Sequence, residues 1–316
     1  MDRVANTVAI ATGARGADTR YAFGVLLVAL AGVFWSTGGL FVRWIAAADG
    51  WQIIFYRSLS LALTLLLIVA LRHRGRTRSA FAEAGWNGVA AGACLSGGFI
   101  GYILSLEHTS VANAVFMLGT APFFSAILGR VFLGEKVRRT TWLAMALALA
   151  GIGVMVGGSL VAGTVAGNLL ALMAGISFAG FNVLLRRGRA HDMLPAVVVA
   201  GLIAALVAAP VVAATTEGDL HAAFVLQARD LFLCLTMGSI QVGLGLAVFT
   251  IGARHVSAVE LALLAMTELV LAPVWVWLGV GEVPSAFTLA GGAVIMAAMT
   301  WQALAGVRRR RVPPIV

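Results

Sequence analysis

The chain alternates between long apolar stretches and short polar interruptions, most of them basic. Ten apolar runs stand out, at about 22–46, 50–70, 86–106, 111–132, 140–159, 166–186, 194–214, 230–252, 258–279 and 285–306. An α-helix rises ~1.5 Å per residue, so about 20 apolar residues cross the hydrocarbon core of a bilayer. A membrane β-barrel would show alternating segments of ~10 residues instead, and these runs are continuous. The pattern predicts an all-α membrane protein with ten transmembrane helices.

Composition agrees. Of 316 residues, 61% are hydrophobic and 11% charged, less than half the roughly 25% charged of a soluble domain. The charges also carry direction. With a cytoplasmic N-terminus, the basic clusters at 3–20, 72–78, 136–139, 186–189, 254 and 308–311 all fall inside, and only Arg43 and Arg229 fall in outside segments. The positive-inside rule then places both termini in the cytoplasm. The net charge of +9 is a topology signal and a contact zone for anionic lipid headgroups, not a nucleic-acid surface. Residues 1–20 lack the apolar core of a signal peptide and are expected as a cytoplasmic tail, as are residues 308–316. Cys94 and Cys234 fall within predicted helices without histidine or acidic neighbours, so they are expected as packing residues rather than metal ligands or a redox pair.

The chain repeats itself. Residues 107–135 align without gaps on residues 254–282, placing His108 on His255, Ser110 on Ser257, Thr120 on Thr267 and Gly134-Glu135 on Gly281-Glu282. The first and sixth runs also echo each other: "GVLLVALAGVFW" (24–35) aligns with "GNLLALMAGISF" (167–178), which puts Arg43 on Arg186. The chain therefore divides into two five-helix repeats, 21–159 and 163–307. Because five is odd, the second is inverted in the membrane relative to the first. Inverted repeats are common in secondary transporters, where a midplane site at their interface is exposed alternately to each side.

Few residues carry chemistry. Glu268 lies about ten residues inside the ninth run, near the bilayer midplane, where an acid costs roughly 2.5–3.5 kcal/mol on insertion scales and should face a cavity or a partner. Substrate or proton binding and a structural interhelical hydrogen bond both fit it. Arg57, seven residues into the second run, has three readings: snorkelling outward, pairing with Glu268, or holding a substrate carboxylate. Ser36, Ser96, Ser177 and Gln241 fall near helix midpoints and Asn182 nearer an end, either as interhelical glue or as cavity walls. Trp35, Tyr56, Phe99 and Tyr102 lie at compatible depths. Glu260 fits the S-x-x-E capping box begun by Ser257 better than a proton carrier. Glu135 and Glu282 are expected to bridge consecutive helices, and Pro122 and Pro273 to bend theirs. The sequence contains no H-E-x-x-H, G-x-S-x-G, P-loop or Cys/His metal cluster, so neither an enzyme, a cofactor nor ATP-driven transport is expected.

The two Gly-Glu endings, "QIIFYRSLSLAL" (52–63) and "FWSTGGLFVRW" (34–44) together resemble the drug/metabolite transporter superfamily, and within it the EamA-type ten-helix exporters. "LEHTSVANAVFMLGTAPFF" (106–124) and "MTELVLAPVWVWLGVGE" (266–282) are similar to that family's third-to-fourth and ninth helices. The resemblance covers residues 20–307. It implies a bacterial inner-membrane location and export of amino acids, related metabolites or small toxic compounds, with aromatic and broad-specificity amino-acid exporters as the nearest likeness. The fourth run has Pro122 and no acid, so Glu268 has no symmetry mate and a charge-based mechanism must be asymmetric. The expectation is an amino-acid or metabolite exporter, with protons as a possible coupling ion. An exporter of cationic drugs, a lipid-modifying enzyme and a membrane scaffold are the alternatives.

Overall fold

The structure is a computed structural model that describes residues 2–109, 111–156, 165–214, 223–281, 283 and 285–310; side chains are described within residues 19–304, apart from 106, 107, 111–113, 115, 156 and 303. Every regular element among the described residues is helical. Eight helices are long and apolar enough to cross a membrane: Thr19–Trp44, Gly50–Arg72, Thr77–Ser105, Phe116–Leu133, Val165–Arg187, Leu194–Ala214, Ala228–Gly252 and Ala258–Val280. The other two predicted runs form shorter apolar helices, Arg139–Met155 and Ala286–Gln302. At ~1.5 Å per residue these two fall just short of a ~30 Å hydrocarbon core.

Four of the long spans are interrupted. The first consists of α1 (Asp2–Ser36) and α2 (Gly38–Trp44), joined at Thr37. After α3 (Gly50–Arg72) and α4 (Thr77–His108), the fourth run breaks into α5 (Val111–Leu118) and α6 (Ala121–Leu133). Beyond α7 (Arg139–Val156), α8 (Val165–Arg187) and α9 (Leu194–Ala214), the eighth run passes from α10 (Ala228–Thr236) through a π-helix (Met237–Leu244) to α11 (Gly245–Gly252). The ninth run divides into α12 (Ala258–Ala265) and α13 (Thr267–Val280), and α14 (Ala286–Arg310) follows.

Three of the four breaks share a cause. Thr37, Thr120 and Thr267 each turn the hydroxyl back onto a carbonyl three residues earlier, at 2.8, 2.5 and 2.8 Å. Such back-bonding draws the carbonyl away from the regular helical ladder. The structure thus moves the interruption expected at Pro122. Pro122 sits in the first turn of α6, where its missing N–H is harmless, and the interruption precedes it. Pro273 lies inside α13, six residues beyond the break at Met266–Thr267.

Helix ends follow the sequence more closely. Gly134 and Gly281 adopt the left-handed conformation, with φ of 65° and 76°, the conformation glycine supplies at helix C-termini. Ser257 and Glu260 form the expected capping box, and Asp49 with Gln52 forms another at the start of α3. Within α4, Gly85 turns to φ 53°, separating a short helix from the span that begins beside Trp86.

Packing is dominated by small residues. α4 lies along α8 and α9, α3 along α9, α7 along α14, and α1 along α11 and α13. A Cβ on Gly92 would come within 2.7 Å of the Ala196 carbonyl oxygen, so the α4 and α9 backbones approach closely there. Cys94 is half-buried and Cys234 buried, both as free thiols.

Candidate functional site: a cavity between broken helices

A cavity of about 180 Å³ opens at the interrupted segments. Trp35 of α1, Arg57 of α3, Phe99 and Tyr102 of α4, Gln241 of the π-helix and Glu268 of α13 all line it. The helix breaks themselves supply Leu118, Gly119, Ala121, Pro122, Ala265 and Met266. Residues from both halves of the chain therefore form one chamber, walled mainly by apolar side chains.

Its polar groups are few and incompletely paired. Arg57 is only 8% exposed, which excludes the snorkelling reading. Its guanidinium lies 5.0 Å over the Phe99 ring, within cation–π range, and Nη2 has no hydrogen-bond partner. Arg57, Tyr102 and Glu268 lie within electrostatic reach of one another, and among the described residues no ion pair within 4 Å joins Arg57 to Glu268. Gln241 donates from Nε2 to the Trp35 carbonyl at 2.9 Å, leaving its Oε1 unpartnered. Trp35 Nε1 is also unpartnered and packs against Gly245.

Other expected site residues lie elsewhere. Ser36 joins α1 to α13: its hydroxyl donates to Val33 O at 2.6 Å and accepts from Trp275 Nε1 at 2.8 Å. Tyr56 donates to the Phe224 carbonyl. Ser177 packs on Gly97 at the α4–α8 contact. Ser96 and Asn182 are buried, and neither their side-chain atoms nor those residues are among the cavity walls. Which way each of these five side chains faces was not legible in the sequence.

On one side the cavity ends in an aromatic cluster. The Phe249 ring lies 5.1 Å from Trp35, 6.0 Å from Phe178 and 6.3 Å from Phe181. Continuing along α8 and α11 from that cluster leads to Arg186 and Arg254, the end that the charge pattern places in the cytoplasm. There Glu135 pairs with Arg186 at 3.1 Å rather than with the start of the next helix as expected. Arg186 also donates to the Arg254 carbonyl at 3.1 Å. Asp192 caps α9 and gathers His73, Arg254 and Arg72 at 3.0, 3.6 and 3.7 Å. Nearby, burial first and then the charges of Arg20, Arg254 and Arg186 hold the His255 imidazole below its ordinary pKa. Glu282 lies outside the described residues.

Comparison with known proteins decides the family. The EamA-like transporter family model matches residues 22–157 and again residues 165–302. The chain belongs to the EamA-like transporter family. It is therefore a multi-pass membrane transporter of the drug/metabolite superfamily and not an enzyme. The pseudopaline exporter CntI of Pseudomonas aeruginosa is 29% identical over 283 residues, covering 87% of this chain and 94% of that one. An uncharacterized transporter of Vibrio cholerae is 26% identical over 167 residues, or 52% of this chain and 53% of its own length. A crystal structure at 18% identity superposes with a TM-score of 0.72 over 92% of this chain and 99% of that one; at that identity it speaks for the fold alone.

Proposed function

We propose that this EamA-family member exports small amino-carboxylate metabolites, amino acids foremost, across the bacterial inner membrane. It does so by alternating access between two inverted five-helix repeats, 21–159 and 163–307, with cytoplasmic tails at 1–20 and 308–316. The inverted arrangement draws support from the double family match and from mated packing. α4 on α8 is mirrored by the π-helix and α11 on α1, while α3 with α9 and α7 with α14 pair across the same relation.

The observation that carries the substrate reading is one chamber holding a buried arginine and an acid that do not pair directly. Opposite charges separated in a low-dielectric cavity favour a ligand bearing both signs. Arg57 holds the carboxylate, Glu268 the amino group or a coupling proton, and Trp35, Phe99 and Tyr102 the apolar part. The wall offers a lone lipophilic cation a glutamate but leaves Arg57 unopposed, which disfavours the drug reading.

Flux of labelled amino acids in proteoliposomes of the purified protein, with and without an imposed pH gradient, tests this. Pseudopaline, the cargo in the relative's name, and a lipophilic cation serve as further probes. Saturable amino-acid flux is expected, and acceleration by the gradient marks proton coupling. Flux of the cation alone would overturn the reading.

A further inference from the structure

The π-helix at Met237–Leu244 is the one departure from α geometry of its kind among the described residues, and π turns concentrate at functional sites. Gln241 lies at its centre and is only 6% exposed. Its amide is held in one orientation: Nε2 donates to the Trp35 carbonyl at 2.9 Å, and a carbonyl can only accept. Gly38 closes the nitrogen side, where a Cβ would stand 2.9 Å from Nε2. The other end of the amide, Oε1, is buried without a protein partner in a residue that walls the cavity. A buried acceptor left unpaired is costly, so this oxygen calls for a donor from outside the protein.

The donor and acceptor inventory then becomes one-sided. Arg57 and Trp35 Nε1 can only donate, while Gln241 Oε1 and an ionised Glu268 can only accept. A carboxylate satisfies the first pair and an ammonium group, with three N–H donors, satisfies the other two. We infer that Gln241 is a specificity-determining residue whose fixed carbonyl oxygen reads the free amino group of the substrate. The cargo is thereby restricted to primary ammonium carboxylates. This inference rests on the amino-carboxylate reading above and narrows it. A 2-hydroxy acid brings one donor for two acceptors, and a 2-oxo acid brings none. N-acylation removes the charge and all but one N–H. Sites built to hydrogen-bond a substrate N–H or O–H reject analogues lacking it strongly, by up to about 10⁴-fold or more.

The test is competition against labelled amino-acid flux in proteoliposomes by four compounds sharing one side chain: the amino acid and its 2-hydroxy, 2-oxo and N-acetyl analogues. The amino acid should compete best, the hydroxy acid at least about tenfold less well, and the other two roughly a hundredfold less well. In Gln241→Leu, the ratio of amino to hydroxy acid should collapse toward unity, with a smaller loss of amino-acid flux. Equal competition by all four in the wild-type protein overturns the inference while leaving an Arg57-anchored carboxylate exporter standing. Absence of any saturable amino-acid flux overturns both. If Gln241→Leu does not fold, the wild-type series decides alone.

Discussion

Arg57 depends on a glycine. A Cβ on Gly238 would overlap the Arg57 carbonyl oxygen, so Gly238→Ala must push the π-helix away from α3. Overpacking of this kind costs about 1–3 kcal/mol, and here it also displaces the guanidinium. The variant should melt earlier in detergent and lose flux, whereas Gly39→Ala, whose Cβ would meet only Val276 Cγ2 at 3.7 Å, should match wild type. Asp230 shows what the sequence concealed. It is buried and accepts from the Ala46, Ala47 and Ala48 amides at 3.3, 2.8 and 3.1 Å. Its partners are backbone groups about 180 residues away, and backbone donors leave no mark in a side-chain pattern. His255 gives a pH signature. Burial holds its folded pKa below the ordinary imidazole value of 6.5, so between the two values the unfolded chain binds more protons. Stability is fully present above about 6.5 and falls as pH drops toward the folded pKa. The loss of melting temperature between pH 7.5 and 5.5 should therefore be smaller in His255→Gln.

Among the elements, the three threonine breaks and the π-helix set the depth of the cavity walls. The repeat made the Thr120–Thr267 correspondence visible in the sequence. Pro122 drew attention to a position just past the actual break, because a proline in the first turn of a helix breaks nothing and hydroxyl back-bonding has no strong sequence signature. Glu268 stands one residue beyond Thr267, in the first turn of α13, where the helix dipole favours an anion. Removing the hydroxyl in Thr267→Val should cost about 1 kcal/mol of stability or less. It should lower flux more than that cost implies, by shifting Glu268 relative to Arg57, while Thr267→Ser should restore it. Equal flux in Thr267→Val and wild type would confine that hydroxyl to a structural role.

At the scale of the whole molecule, the run lengths, charge asymmetry and double motif were enough to read an all-helical membrane transporter. The cross-links at one end were not legible, since they join loops far apart in sequence. Asp192 ties the α3–α4, α8–α9 and α11–α12 connections together, and the proposed closure on this side of the cavity comprises that tie and the Trp35–Phe178–Phe181–Phe249 cluster. Asp192→Asn should loosen this closure. In protein lacking Cys94 and Cys234, Ala262→Cys should then react faster with an impermeant thiol reagent applied from the side bearing Arg186 and Arg254. Unchanged labelling would remove Asp192 from the closure.

The central claim is that Arg57 and Glu268 together hold one zwitterionic cargo molecule. The most direct measurement is equilibrium binding of a labelled amino acid to the purified transporter, its Arg57→Gln variant and its Glu268→Gln variant, each verified as folded. Truncating one partner of a buried charged contact typically costs about 2–5 kcal/mol, so each variant should bind at least about 30-fold more weakly. Wild-type affinity in both folded variants would contradict the account.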